Sequence, residues 1–259
     1  MDLERIKHTG IGAAYRSAAI LNHYLGNLIS VQKKGPTDLV TVADIESEKI
    51  IIQTIRSRFP DHEFMAEESG LIGTEPSPCQ WIIDPLDGTT NFAHQIPTFC
   101  TSIAFAVTGK VLVGVVLNPV SGELFTAVQG KGAYLNGNPI HVSEEKNISE
   151  SLLVTGFPYD VTQGIDSTMG RLKNCLQKAQ GIRRLGSAAL DLCFVACGRF
   201  EGFWEENLKP WDTAAGFLIA EEAGARVTDF SGVPYTLDKK EILATNGLIH
   251  QEMQLLLEI

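Results

Sequence analysis

The chain has 259 residues, 44% of them hydrophobic and 20% charged, a balance that argues against disorder and fibrous architecture and is long enough for a sizeable core. Its formal charge of −10, from 21 basic and 31 acidic residues, repels a nucleic-acid backbone, and no run of more than two consecutive basic residues offsets it. Direct nucleic-acid binding is therefore not expected, and a small anionic substrate would need a cation in its site.

Met1-Asp2-Leu3-Glu4-Arg5 lacks the basic-then-apolar pattern of a secretion signal, and no apolar stretch approaches the roughly 20 residues of a membrane span. The five cysteines (Cys79, Cys100, Cys175, Cys193, Cys197) make an odd set with no Cys-x-x-Cys pair. That usage points to a reducing compartment and predicts a cytoplasmic protein with no membrane partner. Cys193 and Cys197 could share a helix face, but no His lies near them, so they read as small buried side chains rather than zinc ligands.

In chain order, Ile11, Ala14, Ala18, Leu21, Leu25 and Leu28 recur at helical spacing and predict an amphipathic helix, broken at Lys33-Lys34-Gly35-Pro36. Asp44 is placed to cap a second helix whose apolar face carries Ile45, Ile52, Ile55 and Phe59, with Pro60 as its stop. Phe64-Met65-Ala66 and Trp81-Ile82-Ile83 read as short buried strands that end on Glu67-Glu68 and Asp84. From Thr101 to Ile140 the pattern is a β-meander, with turns at Thr108-Gly109 and Asn136-Gly137. Beyond about residue 150 strands and helices alternate: a strand at Leu152–Val154, a helix at Asp166–Lys178 and a strand at Ile182–Leu185. A helix capped by Ser187 and a strand at Phe203–Trp204 follow, then a helix from Asp212 to Gly224 and a terminal helix from about Leu248.

The densest chemical signal is Trp81-Ile82-Ile83-Asp84-Pro85-Leu86-Asp87-Gly88-Thr89-Thr90-Asn91-Phe92. A strand end that turns at Pro85 and Gly88 can aim Asp84, the Leu86 carbonyl and Asp87 at one volume, a hard-oxygen set that suits Mg²⁺. The plainer alternative is that these aspartates only cap a turn. Glu67 at a neighbouring strand end and Asp212 at a helix start weigh against it, since four converging carboxylates repel one another unless a cation joins them. Asp87-Gly88-Thr89 is also similar to the end of the Asp-x-Asp-Gly-Thr motif of haloacid-dehalogenase-type phosphatases, but there the nucleophile would fall on Pro85. Proline cannot attack phosphorus, which favours a metal-activated water.

Ala66-Glu67-Glu68-Ser69-Gly70, the Asp84–Phe92 run, Gly186-Ser187-Ala188-Ala189 and Trp211-Asp212-Thr213-Ala214-Ala215-Gly216 together resemble the successive signatures of the inositol monophosphatase family, over nearly the whole chain. The resemblance implies an α/β fold, a layered α-β-α-β-α sandwich over residues 1–259, with sub-lobes of about 1–145 and 146–259. It further implies a lithium-sensitive, Mg²⁺-dependent homodimer that hydrolyses a small phosphate monoester, foremost inositol 1-phosphate. The implied metal ligands are Glu67, Asp84, the Leu86 carbonyl, Asp87 and Asp212. Asp44 and Thr89, with Glu67, are the implied catalytic residues, the first two handling the attacking water. The implied substrate contacts are Gly88, Thr89 and Thr90 for phosphate, and Gly186, Ser187, Ala188, Ala189, Glu205 and Asp212 for the remainder.

Thr89 has an alternative reading as a helix cap, and Glu205 as a solvated strand-end acid. Arg183 and Arg184 alternate on a strand, so at most one faces the cleft, and surface pairing is expected of them. Ala66 stands where the family often has Gly, and Pro210 where animal members have Cys, a form that resembles bacterial members. Other activities on the same scaffold are hydrolysis of fructose 1,6-bisphosphate, histidinol phosphate or 3′-phosphoadenosine 5′-phosphate. A different class of function is regulatory partnership with RNA polymerase or the ribosome-assembly machinery.

Overall fold

The computed structural model describes residues 1–27, 31–33, 39–73, 77–158 and 164–259. Two helices lead the chain, α1 (Leu3–Tyr24) and α2 (Val42–Arg56), with a small hairpin of β1 (Val31–Lys33) and β2 (Leu39–Thr41) between them. Leu28 and the expected break at Lys34-Gly35-Pro36 lie outside the described residues.

Next come β3 (Glu63–Ala66), β4 (Gly70–Ile72), β5 (Cys79–Asp87), the short α3 (Thr89–Ala93), β6 (Cys100–Val107) and β7 (Lys110–Leu117). They are followed by β8 (Leu124–Val128), β9 (Ala133–Leu135) and β10 (Asn138–Ile140). These strands form one sheet in the order β10-β9-β8-β7-β6-β5-β3-β4, antiparallel throughout except for the β3–β5 pair. The sheet is apolar on both faces, because alternate residues of each strand serve different cores. Trp81, Ile83, Ile103, Phe105 and Val115 pack under α1 and α2, whereas Ile82, Ala104 and Val116 face the opposite way.

The second half supplies β11 (Leu152–Thr155), α4 (Ile165–Leu176), β12 (Gly181–Arg183), α5 (Ala188–Ala196) and β13 (Gly202–Glu206). It closes with α6 (Pro210–Glu222), β14 (Arg226–Thr228), β15 (Glu241–Thr245) and α7 (His250–Leu257). Its sheet runs β12-β11-β13-β15-β14. Helices α5 and α6 lie between the two sheets, where Ala189, Leu192, Ala215 and Ile219 share a core with Ile82 and Val116 on one side and with Phe203 and Ala244 on the other. The far face, through Leu153, Trp204 and Leu243, packs on Cys175, Met253 and Leu257 of α4 and α7. The result is the expected α-β-α-β-α layering. Among the described residues no helix is long and apolar enough to cross a membrane, and all five cysteines are free thiols.

Several local expectations need correction. Thr41, not Asp44, is the N-cap of α2; Asp44 sits three residues later and accepts the Thr41 N–H at 2.9 Å, closing a capping box. Ile45 is 53% exposed, because beyond Ala43 the N-terminal half of α2 buries Asp44, Ser47 and Glu48 instead, and the buried isoleucines begin at Ile51. Asp44 stands behind Thr89 of the carboxylate pocket described below and Glu48 holds the turn that follows Glu67, whereas Ser47 bonds to the Pro85 carbonyl. Strands β14 and β15, which carry no turn-bounded alternation long enough to read, fill the stretch between Gly224 and Leu248 where no strand was expected.

Candidate active site

The pocket begins with a break in a strand pair. Asp84 pairs with Ser102 and Asp87 with Cys100, so three steps along β5 match two along β6. Residues three apart on a regular strand point to opposite faces; the extra residue turns Asp84 and Asp87 toward the same side. Within the bulge, the Leu86 N–H donates to Asp84 Oδ1 at 2.9 Å. Gly88 follows at φ 95°, a left-handed conformation that glycine adopts without strain, and a Cβ there would lie 3.0 Å from the Thr98 carbonyl.

Most of the other expected residues arrive from elsewhere in the fold. A cavity of about 260 Å³ is lined by Glu67 beyond β3, Asp84, Leu86, Asp87, Gly88 and Thr89. The turn into α5 adds Gly186, Ser187 and Ala188, β13 adds Glu205, and α6 adds Asp212. Three expected residues lie outside the lining. Asp44 is fully buried behind Thr89, whose hydroxyl reaches Asp44 Oδ1 at 3.2 Å and the Leu86 carbonyl at 3.0 Å. Ala189 is buried behind Asp87 and donates its N–H to Asp87 Oδ2 at 2.8 Å. Thr90 is exposed on α3 and is not part of the lining.

Hydrogen bonds fix the acids from behind. Ser187 occupies the N-cap of α5 but makes no side-chain cap bond, as its hydroxyl donates to Asp87 Oδ2 at 2.7 Å instead. Asp212 is likewise not the helix start: α6 opens at Pro210, and Asp212 accepts the Lys209 N–H at 2.7 Å. Gly88, not Thr89, is the N-cap of α3. Glu48, which the motifs do not single out, accepts the Glu68 N–H at 2.8 Å and also holds the Ser69 hydroxyl, which pins the turn that presents Glu67. Its signal in the sequence was its position one turn beyond Asp44 on the buried face of α2.

The far wall was not legible as a site. Gly156, Phe157 and Pro158 line it together with Arg184, Lys209 and Trp211. Arg184, for which surface pairing was expected, lines the cavity with its guanidinium 5.9 Å from the centre of the Phe157 ring, whereas Arg183, exposed as Arg184 is, does not line it. Glu205 is not a solvated strand-end acid but 8% exposed, its carboxylate lying against Gly156, where a Cβ would come within 2.1 Å of it.

This crowding shows in the acidities. Burial pushes Asp84 well above the usual carboxylate range, with Glu67, Asp87 and Asp212 adding repulsion. Burial raises Asp87 to about 6 against its hydrogen bonds from Ser187 and Ala189. It raises Asp212 to about 8 despite the Lys209 N–H. Glu205 also reaches about 8 through burial and the charges of Asp212 and Asp87, with Arg184 opposing. Asp191, one turn into α5, is raised by burial and by Glu205, and neither of its carboxyl oxygens has a hydrogen-bond partner.

Each of these groups binds protons more tightly folded than unfolded, where carboxyls titrate near 4. Their contribution to stability is therefore greatest below about pH 4 and is lost as pH rises toward 8. In EDTA the melting temperature is expected to fall steadily from pH 5 to pH 8, and Asp191→Asn to flatten that slope. A melting temperature that rises over this interval would refute the crowding.

Glu67, Asp84, Asp87, Asp212 and the Leu86 carbonyl offer oxygen donors only, the set that suits a hard divalent cation rather than zinc. Among the described residues no three His, Cys, Asp or Glu side chains form a ready-made coordination shell. The acids share a pocket and a field, and Asp84 is hydrogen-bonded to Glu67, an arrangement that needs a proton between two carboxylates. A cation able to replace that proton fits the unsatisfied charge.

Comparison with known proteins gives the same family throughout. The family model described as the inositol monophosphatase family matches residues 2–258. The inositol-1-monophosphatase of Synechocystis sp. is 46% identical over 253 residues, covering 97% of this chain and 88% of that protein. The Nus factor SuhB of Vibrio cholerae is 44% identical, covering 92% of each. The crystal structure of the extragenic suppressor protein suhB from Bartonella henselae superposes with a TM-score of 0.94 at 41% identity, covering 98% of each chain.

Proposed function

The chain belongs to the inositol monophosphatase family, and on that premise we propose that it hydrolyses inositol 1-phosphate to inositol and phosphate with Mg²⁺ as cofactor. The observation that carries this reading is the bulge in β5, which turns Asp84, Asp87 and Leu86 into one cavity with Glu67 and Asp212. These five residues would hold the cation, which when bound supplies Lewis acidity and lowers the pKa of water.

The protein's own groups supply the rest. Ser187 and Ala189 both donate to Oδ2 of Asp87, leaving Oδ1 to turn toward the cavity. Thr89 Oγ1 stands between the cavity and Asp44, so a proton taken from the attacking water at Thr89 Oγ1 can pass to the Asp44 carboxylate, whose raised pKa suits it as acceptor. Gly88, without a side chain, leaves backbone open to the phosphate. Glu205 and Arg184 line the side of the cavity away from β5, where the alcohol part of the ester would lie, and Glu205 would accept a ring hydroxyl.

Phosphate release from a panel of esters in Mg²⁺ tests the substrate: inositol 1-phosphate, fructose 1,6-bisphosphate, histidinol phosphate and 3′-phosphoadenosine 5′-phosphate. The highest kcat/KM is expected for inositol 1-phosphate, and no release from it would reject that substrate and pass the role to whichever ester is cleaved. In the same reading the protein is a cytoplasmic, lithium-inhibited homodimer folded as one unit, which light scattering and inhibition by Li⁺ would test.

A second reading rests on the relatives named Nus factor SuhB: the chain could serve transcription as a protein partner. It gives no physical reason for six buried or half-buried acids around one cavity, so catalysis ranks first. Capture of RNA polymerase by wild type and by Asp87→Asn alike, with no phosphatase activity on the panel, would reverse the order.

A further inference from the structure

The bulge that aims Asp84 and Asp87 has a cost in backbone pairing. Pro85 and Leu86 both stand opposite Thr101 of β6, and neither has a partner in the β5–β6 ladder. The Leu86 carbonyl is taken by the Thr89 hydroxyl. The Pro85 carbonyl points the other way, into the layer of α1 and α2, where an unpaired buried acceptor would be destabilising. Three buried hydroxyls from three different elements meet it there. Thr101 Oγ1 on β6 donates to it at 3.1 Å and Ser47 Oγ on α2 at 3.3 Å. Ser17 Oγ on α1 contacts both, lying 2.6 Å from Thr101 Oγ1 and also within hydrogen-bond distance of Ser47 Oγ. All three side chains are completely buried.

On α1 the buried neighbours in sequence, Ala13, Ala14, Ala18 and Leu21, are apolar, whereas on α2 Ser47 sits between the buried Asp44 and Glu48; at all three positions a buried hydroxyl is tolerated only because it is hydrogen-bonded. Counting protons makes the arrangement directional. Each hydroxyl has one proton, and the cluster has four contacts, so three are donated at any moment. At least one of Ser47 and Thr101 then donates to the Pro85 carbonyl, and both can do so when Ser17 donates to either of them.

We infer that Ser47 and Thr101, linked through Ser17, are positioning residues for the carboxylate site: they fix the Pro85 carbonyl and so hold the bulge that turns Asp84 and Asp87 into the cavity. The inference rests on the proposed cation site. It places part of the control of cation affinity on the far face of the sheet, in residues that touch neither cation nor substrate.

Calorimetric titration of Mg²⁺ into the EDTA-stripped full chain tests it, with thermal unfolding of each variant alongside. Ser47→Ala combined with Thr101→Val leaves Pro85 without a donor while nearly keeping the shape, and is expected to weaken Mg²⁺ binding about tenfold or more, the range found when groups behind metal ligands are removed. Thr101→Ser loses a methyl but keeps the donor, and is expected to bind as wild type does. Ser17→Ala also binds as wild type does, because Ser47 and Thr101 each retain a proton for the carbonyl. If the double variant fails to fold, Thr101→Val against Thr101→Ser decides, with weaker binding expected for the valine alone. The inference is overturned if the valine variants bind Mg²⁺ normally, or if Ser17→Ala and Thr101→Ser lose as much as they do, since that pattern reports packing. A wild type that binds no Mg²⁺ overturns the cation site and the inference with it; normal wild-type binding with unaffected variants overturns the inference alone.

Discussion

Asp84→Asn is expected to lower kcat by at least 10²–10³-fold, the scale on which a single electrostatic group at a reacting centre counts, while the protein without divalent ions melts at the same or a higher temperature. Two opposite consequences follow from one side chain. Asp84 is 2% exposed, and Glu67, Asp87 and Asp212 all raise its pKa by repulsion, so in the absence of a cation its charge opposes folding. The amide keeps the oxygen that accepts the Leu86 N–H at 2.9 Å and removes the charge, so the bulge survives and the repulsion falls. With Mg²⁺ the order reverses, because wild type gains stability by binding the ion and the variant gains less. Phosphate release and melting temperature, each with and without Mg²⁺, check this. Unchanged turnover would remove Asp84 from the site, and a large loss of stability in EDTA would show that its role is structural.

Gly156→Ala is expected to raise KM for the ester roughly tenfold to a hundredfold, the upper end being the scale of an about 1 Å misplacement at a reacting centre, with little change in melting temperature. The added Cβ would lie 2.1–2.2 Å from all three atoms of the Glu205 carboxylate group, a distance no packing tolerates. The obstructed atoms are the end of a side chain rather than backbone, so Glu205 swings away and the helices and strands stay in place. Asp84, Asp87 and Asp212 are not touched by the change, which is why the effect falls mainly on KM. Steady-state kinetics beside a melting curve separate the outcomes: an unchanged KM would show that Glu205 does not contact the substrate, and loss of folding would place Gly156 among the structural glycines.

The layered fold was largely legible because its central strands are buried on both faces and its outer helices on one, with α5 and α6 enclosed between the sheets. Trp81-Ile82-Ile83 reads as an apolar run, since Trp81 and Ile83 serve one core and Ile82 the other. The acids of the pocket could be named because they sit at strand and helix ends, where backbone direction changes and side chains of distant segments meet. What the sequence hid depends on register. No pattern within Asp84–Asp87 reveals that β6 is one residue short opposite it, and without that bulge two aspartates three apart would diverge. The same holds for the far wall: Gly156 and Arg184 carry no motif, and only the parallel pairing of β11 with β12 and β13 brings them to Glu205. Capping rules also named the wrong partners, as Ser187 and Asp44 fit helix starts by residue type but spend their side chains on Asp87 and on Thr41 and Thr89.

The most direct test of the cation-dependent site is phosphate release from inositol 1-phosphate by EDTA-stripped protein across a Mg²⁺ titration at pH 7.5. Release is expected to be absent without the ion and to rise to saturation as Mg²⁺ is added. Release that proceeds equally in EDTA, or that fails at every Mg²⁺ concentration, would contradict it.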